Sequence, residues 1–160
     1  MEEANASGMA ASDAMLLGRV TYEQMAAFWP LQPGGVPTVD HVNSVPKHVV
    51  STTLEEPLGW NNSTLISGNE FAEDITRLKQ EPGKDIAILG SGALVRSLVQ
   101  GDLLDDLRLI VHPIVLGSGK RLFEDEAYRN ALELLDSKTF ATGVLYLTYR
   151  LARRDEGESG

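Results

Sequence analysis

The sequence contains no cysteine, and few of its residues are basic. Without thiols, the chain can form neither disulfides nor thiolate metal centres, which fits a reducing compartment. Lysine and arginine number 14 against 23 acidic residues, so the formal net charge is −9. Nucleic acids and anionic membranes are bound by basic surfaces. The charge therefore argues against both as partners.

Long hydrophobic runs and metal-binding patterns are also missing. No apolar stretch approaches the roughly 18 residues that mark a membrane-spanning helix. The opening "MEEANASG" has neither the basic nor the apolar region of a signal peptide. The three histidines are isolated and no H-E-x-x-H or Ca²⁺-loop pattern occurs, so no metal site is predicted. We expect a cytoplasmic protein.

The length and the hydrophobic content predict one globular domain. With 160 residues, of which 42% are hydrophobic, the chain can bury about 68–70% of its unfolded surface. We expect this domain to occupy residues 1–152. The remaining residues, 153–160 ("RRDEGESG"), are predicted to form a polar tail.

Short apolar strands alternate with amphipathic helices along most of the chain. Strands are predicted at 14–17, 48–51, 64–67, 85–89 and 107–116, and helices at 21–28, 70–80 with Asn69 as N-cap, and 93–99. Residues 31–40, rich in proline and glycine, are predicted to be a loop. Two alternating stretches, 132–140 and 144–151, predict a hairpin. The pattern indicates an α/β domain with a mostly parallel sheet and an antiparallel end.

One joint between a strand and a helix has the composition of a phosphate-binding turn. Gly90, Ser91 and Gly92 follow an apolar strand, and Ala93 and Leu94 open the next helix. Glycines permit close approach of a ligand, and a helix N-terminus offers free amides with partial positive charge. The third glycine of the dinucleotide fingerprint G-x-G-x-x-G is absent. A tight turn without a ligand remains an alternative.

Two further strand ends carry residues that can contact phosphate. Gly18, Arg19 and Thr21 lie where a strand passes into a helix, and Ser51 and Thr52 follow another strand. Each group alone is equally compatible with a capped helix or an ordinary turn. Ligands of α/β sheets bind outside the carboxyl ends of the strands. The three joints together therefore predict one extended ligand that bears phosphate.

Other candidate sites fail on spacing. The stretch "GSGKR" (117–121) lacks both the first glycine and the final hydroxyl of a P-loop, and no G-x-S-x-G elbow is present. His112, in a predicted apolar strand interrupted by Pro113, fits a core or pocket-edge position better than a catalytic one. No catalytic residue is assigned.

Four segments in order resemble the dihydrofolate reductase superfamily: "DAMLLGRVTYEQMAAFWP", "VPKHVVSTTL", "ILGSGALVRSL" and "DDLRLIVHPIVLGSGKRLF". The most similar branch is that of stand-alone proteins like the reductase domain of bacterial riboflavin biosynthesis. The resemblance runs from about Asp13 to Arg150. It implies a dihydrofolate-reductase-like three-layer sandwich, with a mostly parallel mixed sheet that ends in the antiparallel C-terminal hairpin.

The resemblance also implies NADPH as cofactor and assigns residues to it. Gly18, Arg19 and Thr21 would meet the phosphates, Ser51 and Thr52 the 2′-phosphate, and Gly90, Ser91, Gly92, Ala93 and Leu94 the pyrophosphate. Residues 117–119 would shape a loop beside the nicotinamide or substrate. Members of this branch commonly form homodimers, so a homodimer is expected here.

The implied function is NADPH-dependent reduction of a small heterocycle of pterin or ribosylamino-pyrimidine type. The family's opening strand and its "SLDG"-like loop have no counterpart in the sequence. We expect either a shortened form or a fold without that strand. The alternative function is a non-catalytic, dimeric nucleotide-binding module that has lost reductase activity with its N-terminal strand.

Overall fold

The computed structural model describes residues 11–123 and 129–152. The polar tail predicted for 153–160 lies outside them. The chain divides into two compact units, residues 1–95 and 96–160, and each is described by itself. Within the described ranges, no helix is both long enough and apolar enough to cross a membrane.

The first unit is built on a parallel sheet with helical connections. Its elements are β1 (Ser12–Gly18), α1 (Arg19–Phe28), a 3₁₀ turn (Trp29–Leu31), α2 (Pro37–Ser44), β2 (Lys47–Val50), β3 (Ser63–Ile66), α3 (Phe71–Gln80) and β4 (Asp85–Gly90). The four strands are all parallel and are ordered β3-β2-β1-β4. Helix α4 (Gly92–Gln100) follows β4 and continues into the second unit.

The second unit contains an antiparallel sheet. Its strands are β5 (Asp106–Val111), β6 (Leu132–Thr139) and β7 (Leu145–Leu151), ordered β5-β7-β6. The predicted hairpin is confirmed as β6 and β7. The predicted α/β class is also confirmed, with the parallel and antiparallel strands in two separate sheets.

Strand β1 is buried on both faces, which gives the first unit its layers. Met15, Leu16 and Leu17 are 1%, 2% and 0% exposed, although neighbouring side chains of a strand point to opposite faces. One face forms a cluster with residues of α1, α2, β2 and the loop before β3. The cluster contains Met15, Leu17, Tyr22, Val42, Val45, Val49 and Trp60. Burial on both faces means that other parts of the chain cover the sheet on both sides, as in a three-layer α/β sandwich.

Several helix boundaries differ from the sequence prediction, among them the start of α1, which is Arg19 and not Thr21. The predicted loop 31–40 is wrong in its last part, because α2 begins at Pro37. Proline suits the first turn of a helix, since its missing N–H would be unpaired there in any case. Helix α3 begins at Phe71, with Glu70 at the capping position and not within the helix.

The predicted long strand 107–116 is wrong in its second half. Strand β5 ends at Val111, two residues before Pro113, which cannot donate a hydrogen bond to a sheet. His112 is exposed and lies beyond the strand, so it is not a core residue. Val115 is 95% exposed. The apolar residues after the proline therefore lie on the surface.

Lys47 is a fully buried cation whose ammonium group ties three segments together. Its Nζ donates to the carbonyl oxygens of Asn43 (3.0 Å), Val45 (2.9 Å) and Asn61 (3.1 Å). It also lies 4.4 Å from the ring centroid of Trp60. Burial lowers the pKa of Lys47 to about 8. Because three carbonyls accept all three ammonium hydrogens and the ring adds a cation–π contact, the charged form is the one that fits this site.

We predict that Lys47→Met destabilises the protein by about 3 kcal/mol, because three buried carbonyl groups lose a charged donor. The free energy of unfolding from urea denaturation measures the effect. Lys84→Met, at an exposed position, is the matched control and should change stability by less than about 0.5 kcal/mol. Equal effects of the two substitutions would contradict the structural role of the ammonium group.

Candidate functional site

The three joints predicted from the sequence lie along one edge of the parallel sheet. Strand β1 is the neighbour of both β2 and β4. Gly18 pairs with Val50 of β2, and Leu17 pairs with Gly90 of β4. Because these strands are parallel, their carboxyl ends meet at the same edge. The structure therefore brings together the segments that begin at residues 18, 51 and 90.

The ends of β1 and β4 pack directly against each other. A β-carbon at Gly18 would lie 2.8 Å from Ser91 Oγ, and a β-carbon at Gly90 would lie 2.9 Å from Thr21 Oγ1. Both distances are shorter than van der Waals contact. Gly90 also has φ of +141°, a conformation that favours glycine. Internal packing thus requires both glycines, whereas the sequence interpretation attributed such glycines to the approach of a ligand.

Helix α4 starts with a side-chain cap. Ser91 Oγ accepts the amide hydrogen of Leu94 at 3.3 Å, and the Ser91 carbonyl accepts that of Val95 at 3.1 Å. Ser91 is therefore a capping residue of this helix. Gly92 begins the helix, Ala93 is exposed and Leu94 is buried.

Helix α1 starts differently, because its capping position is Gly18. Among the described residues no side chain caps its first amides. The amides of a helix N-terminus carry partial positive charge and bind anions. Arg19 and Val20, the first two residues of the helix, are both exposed. This end of the sheet therefore places a helix start that lacks a side-chain cap at Gly18 beside an exposed guanidinium group.

The turn after β2 separates the two hydroxyl residues predicted there. Ser51 is buried, and its Oγ accepts the amide hydrogens of Thr53 and Leu54, each at 3.1 Å. Its hydroxyl is thus used to shape the turn. Thr52 is exposed at the same edge, and its methyl carbon would lie 3.3 Å from a β-carbon at Gly68. Thr52 is the residue of this pair whose side chain faces solvent.

Among the described residues, the two titratable groups with shifted pKa values lie in strand β2. Lys47 is the first residue of this strand, at its amino end. His48 follows it, and burial lowers its pKa while the carboxylate of Glu81 acts in the opposite direction. Neither side chain is at the carboxyl end of the sheet. In residues 11–123 and 129–152, no cluster of histidine and acidic residues could hold a metal ion.

The loop of residues 117–119 belongs to the second unit. Gly117 and Gly119 have φ of +73° and +157°, and a β-carbon at either position would meet open space. Their conformation, not crowding, therefore explains these two glycines. The role beside a nicotinamide that the resemblance implies for this loop stays a prediction.

Glu23, in helix α1, was assigned no role from the sequence. Its Oε2 accepts a hydrogen bond from Arg19 Nη1 at 2.9 Å. The signal in the sequence was the spacing of four residues, which places two side chains on the same face of a helix.

Comparison with known proteins identifies the family of this α/β chain. Residues 3–146 match the RibD C-terminal domain family. The chain is also 36% identical over 108 residues to the uncharacterized protein YyaP of Bacillus subtilis, and 34% identical over 133 residues to YwjB of the same organism. These matches cover 68% and 82% of the chain. The chain therefore belongs to the RibD C-terminal domain family.

The same matches span 56% of YyaP and 70% of YwjB, so the relatives extend beyond the shared region. Among solved structures, a putative riboflavin biosynthesis protein from Shewanella sp. PV-4 has a TM-score of 0.73 at 23% identity, covering 92% of this chain and 78% of its own. RibD of Acinetobacter baumannii has a TM-score of 0.64 at 14% identity, covering 95% and 50%. These similarities establish the dihydrofolate-reductase-like fold.

The close packing of β1 against β4 can be tested by a double substitution. We predict that Gly18→Ala destabilises the protein by about 1–3 kcal/mol, because its β-carbon would collide with Ser91 Oγ. Adding Ser91→Ala removes that oxygen and should recover a large part of the loss. The free energy of unfolding from urea titrations measures both.

Gly59→Ala is the control, since a β-carbon there meets no atom within 4 Å. Purely additive effects of the Gly18 and Ser91 substitutions would show that the two residues are not in the contact described.

Proposed function

We propose that the protein is an NADPH-dependent reductase of a small heterocycle of pterin or ribosylamino-pyrimidine type. Membership of the RibD C-terminal domain family supports a riboflavin-pathway-like reductase. The observation that carries the cofactor proposal is the meeting of the β1, β2 and β4 ends at one edge of the sheet. That edge combines two helix starts with an exposed arginine.

The residues at this edge fit the phosphates of a dinucleotide. The uncapped amides at the start of α1, beside Arg19 and Thr21, would hold one phosphate region. The start of α4, from Gly92 to Leu94, would hold the pyrophosphate, and the amide of Leu94 donates to Ser91 Oγ in this structure. Gly18, Gly90 and Ser91 contribute by packing, which fixes the two helix starts relative to each other. An anion is the ligand that both helix starts favour.

Selectivity for NADPH over NADH would come from the 2′-phosphate. Arg19 provides a planar group that can donate two parallel hydrogen bonds to a phosphate. Thr52 provides an exposed hydroxyl at the end of the neighbouring strand, on the turn that Ser51 shapes. Bound NADPH would supply the hydride, while the chain binds and orients cofactor and substrate.

Direct titration with both nicotinamide nucleotides tests the cofactor proposal. We predict that Arg19→Ala weakens NADPH binding by about tenfold or more, because a hydrogen bond between two charged groups is lost. NADH, which lacks the 2′-phosphate, should lose less than about threefold. Nucleotide fluorescence on titration with protein gives both dissociation constants.

The matched control is Arg77→Ala, which removes an exposed arginine from another helical ion pair, with Asp74 at 3.2 Å. It should leave both constants unchanged. Equal weakening of NADPH and NADH by Arg19→Ala would refute the 2′-phosphate role. Oxidation of NADPH in the presence of a panel of pterins and pyrimidine intermediates then tests reduction itself, and binding without oxidation would favour the non-catalytic module.

A homodimer is the second part of the proposal, and the antiparallel sheet offers a surface for it. Leu109 and Val111 of β5 are in register with Leu147 and Leu145 of β7, so they share one face. Leu134 of β6, on the same face, is 54% exposed. The opposite face carries charged residues. We call the face with Leu109, Val111 and Leu134 the apolar face. A stable dimer interface buries about 800 Å² on each partner.

We predict that Leu134→Glu dissociates the dimer, because a charge would be buried at its centre. Sedimentation velocity should change from twice the chain mass of 17.4 kDa to that mass itself. Lys138→Ala is the control, since it makes the same change in net charge on the opposite face of β6. A wild-type protein that sediments as a monomer would disprove the proposed dimer.

A further inference from the structure

The guanidinium group of Arg19 is already engaged before any ligand arrives. Its Nη1 donates to Glu23 Oε2 at 2.9 Å, one helical turn further along α1. The two side chains are 45% and 47% exposed, so solvent reaches the pair. A partly exposed ion pair of this kind is weak, and a competing anion can displace or share it.

The contact leaves part of the guanidinium group for a second acceptor. Arginine has five N–H donors in a planar fork, and this hydrogen bond uses one of them. A phosphate bound to the remaining donors would lie within a few ångströms of the Glu23 carboxylate. Two negative groups at such separation repel each other, and water and salt screen the repulsion only in part.

We propose that Glu23 is a positioning residue that sets how tightly Arg19 binds the cofactor's 2′-phosphate. It holds the guanidinium group at the entrance of α1 when the site is free. It also opposes the phosphate by charge, so that the affinity for NADPH stays moderate and the cofactor can be exchanged. This inference rests on the proposed cofactor site and assigns it a further residue.

The other acids near this edge do not have the same position. Glu73 and Asp74 are in the first turn of α3, which follows the outer strand β3. Asp74 accepts a hydrogen bond from Arg77 on its own helix. Among the described residues, Glu23 is the acid whose hydrogen bond to Arg19 the structure records. Glu23 is therefore the acid expected to act on a phosphate bound to Arg19.

The test is the ratio of NADPH to NADH affinity in Glu23→Gln. Glutamine keeps the length of the side chain and an acceptor oxygen but removes the charge. We expect NADPH to bind roughly fivefold more tightly, the effect of about 1 kcal/mol for an exposed charge, while NADH changes less than about twofold. Glu23→Asp keeps the charge and should leave the NADPH-to-NADH ratio within about twofold of wild type.

The salt dependence of NADPH affinity distinguishes an electrostatic role of Glu23 from a merely structural one. Between about 0.1 M and about 1 M salt, the Debye length falls from about 10 Å to about 3 Å. The advantage of Glu23→Gln over wild type for NADPH should shrink accordingly. Glu81→Gln, which removes one negative charge at the opposite end of the same sheet, is the control and should not change the ratio. Thermal melting checks that every variant is folded.

The outcomes separate this inference from the proposal on which it depends. If wild-type protein binds no NADPH, the cofactor proposal and this inference are both overturned. If wild-type protein binds NADPH and Arg19→Ala weakens it, but Glu23→Gln leaves the ratio of the two nucleotides unchanged, only the role of Glu23 is wrong. Tighter NADPH binding by Glu23→Gln that decreases with salt supports it.

Discussion

The approach of β1 and β4 at their carboxyl ends leaves no room for a side chain on either strand at the point of contact. Position 18 faces the hydroxyl of Ser91, and position 90 faces the hydroxyl of Thr21, so each glycine meets a residue that follows the other strand. The arrangement is reciprocal and fixes the starts of α1 and α4 as a pair. The relative placement of two helix N-termini thus depends on contacts of only a few atoms.

This packing has a consequence for the first turn of α1. A helix normally gains about 1 kcal/mol from a serine, threonine, asparagine or aspartate at its capping position. Any of these residues at position 18 would force Ser91 to shift, because a β-carbon there would lie 2.8 Å from its Oγ. The first amides of α1 are therefore left without a side-chain partner, while Ser91 caps α4. The lack of a side-chain cap at this helix start is thus linked to the packing of β1 against β4.

The sequence predicted most strands and helices because their apolar periodicity is strong, as in β4 and α4. The prediction was wrong where a residue is compatible with two kinds of local structure. Pro37 was assigned to a loop, although proline also opens helices, and the apolar residues after Pro113 were assigned to a strand that ends at Val111. The candidate site residues were found from composition at strand ends. Which of these residues are buried by packing and which are exposed depends on three-dimensional contacts, and sequence periodicity does not show these. Ser51 is buried, for example, whereas Thr52 is exposed.

The charge of the chain gives the pairing of Arg19 and Glu23 its importance. In a protein of net charge −9, a dinucleotide with several phosphates meets an unfavourable overall field. Binding of the proposed cofactor would then depend on local groups, namely the helix amides and the one guanidinium group, that of Arg19, which is paired with a carboxylate. In the proposed site, the helix amides would act on the phosphates that both nucleotides share, whereas Arg19 with its partner Glu23 would act on the one phosphate that distinguishes NADPH from NADH. Affinity and selectivity would then reside in different parts of the same edge and could be altered separately.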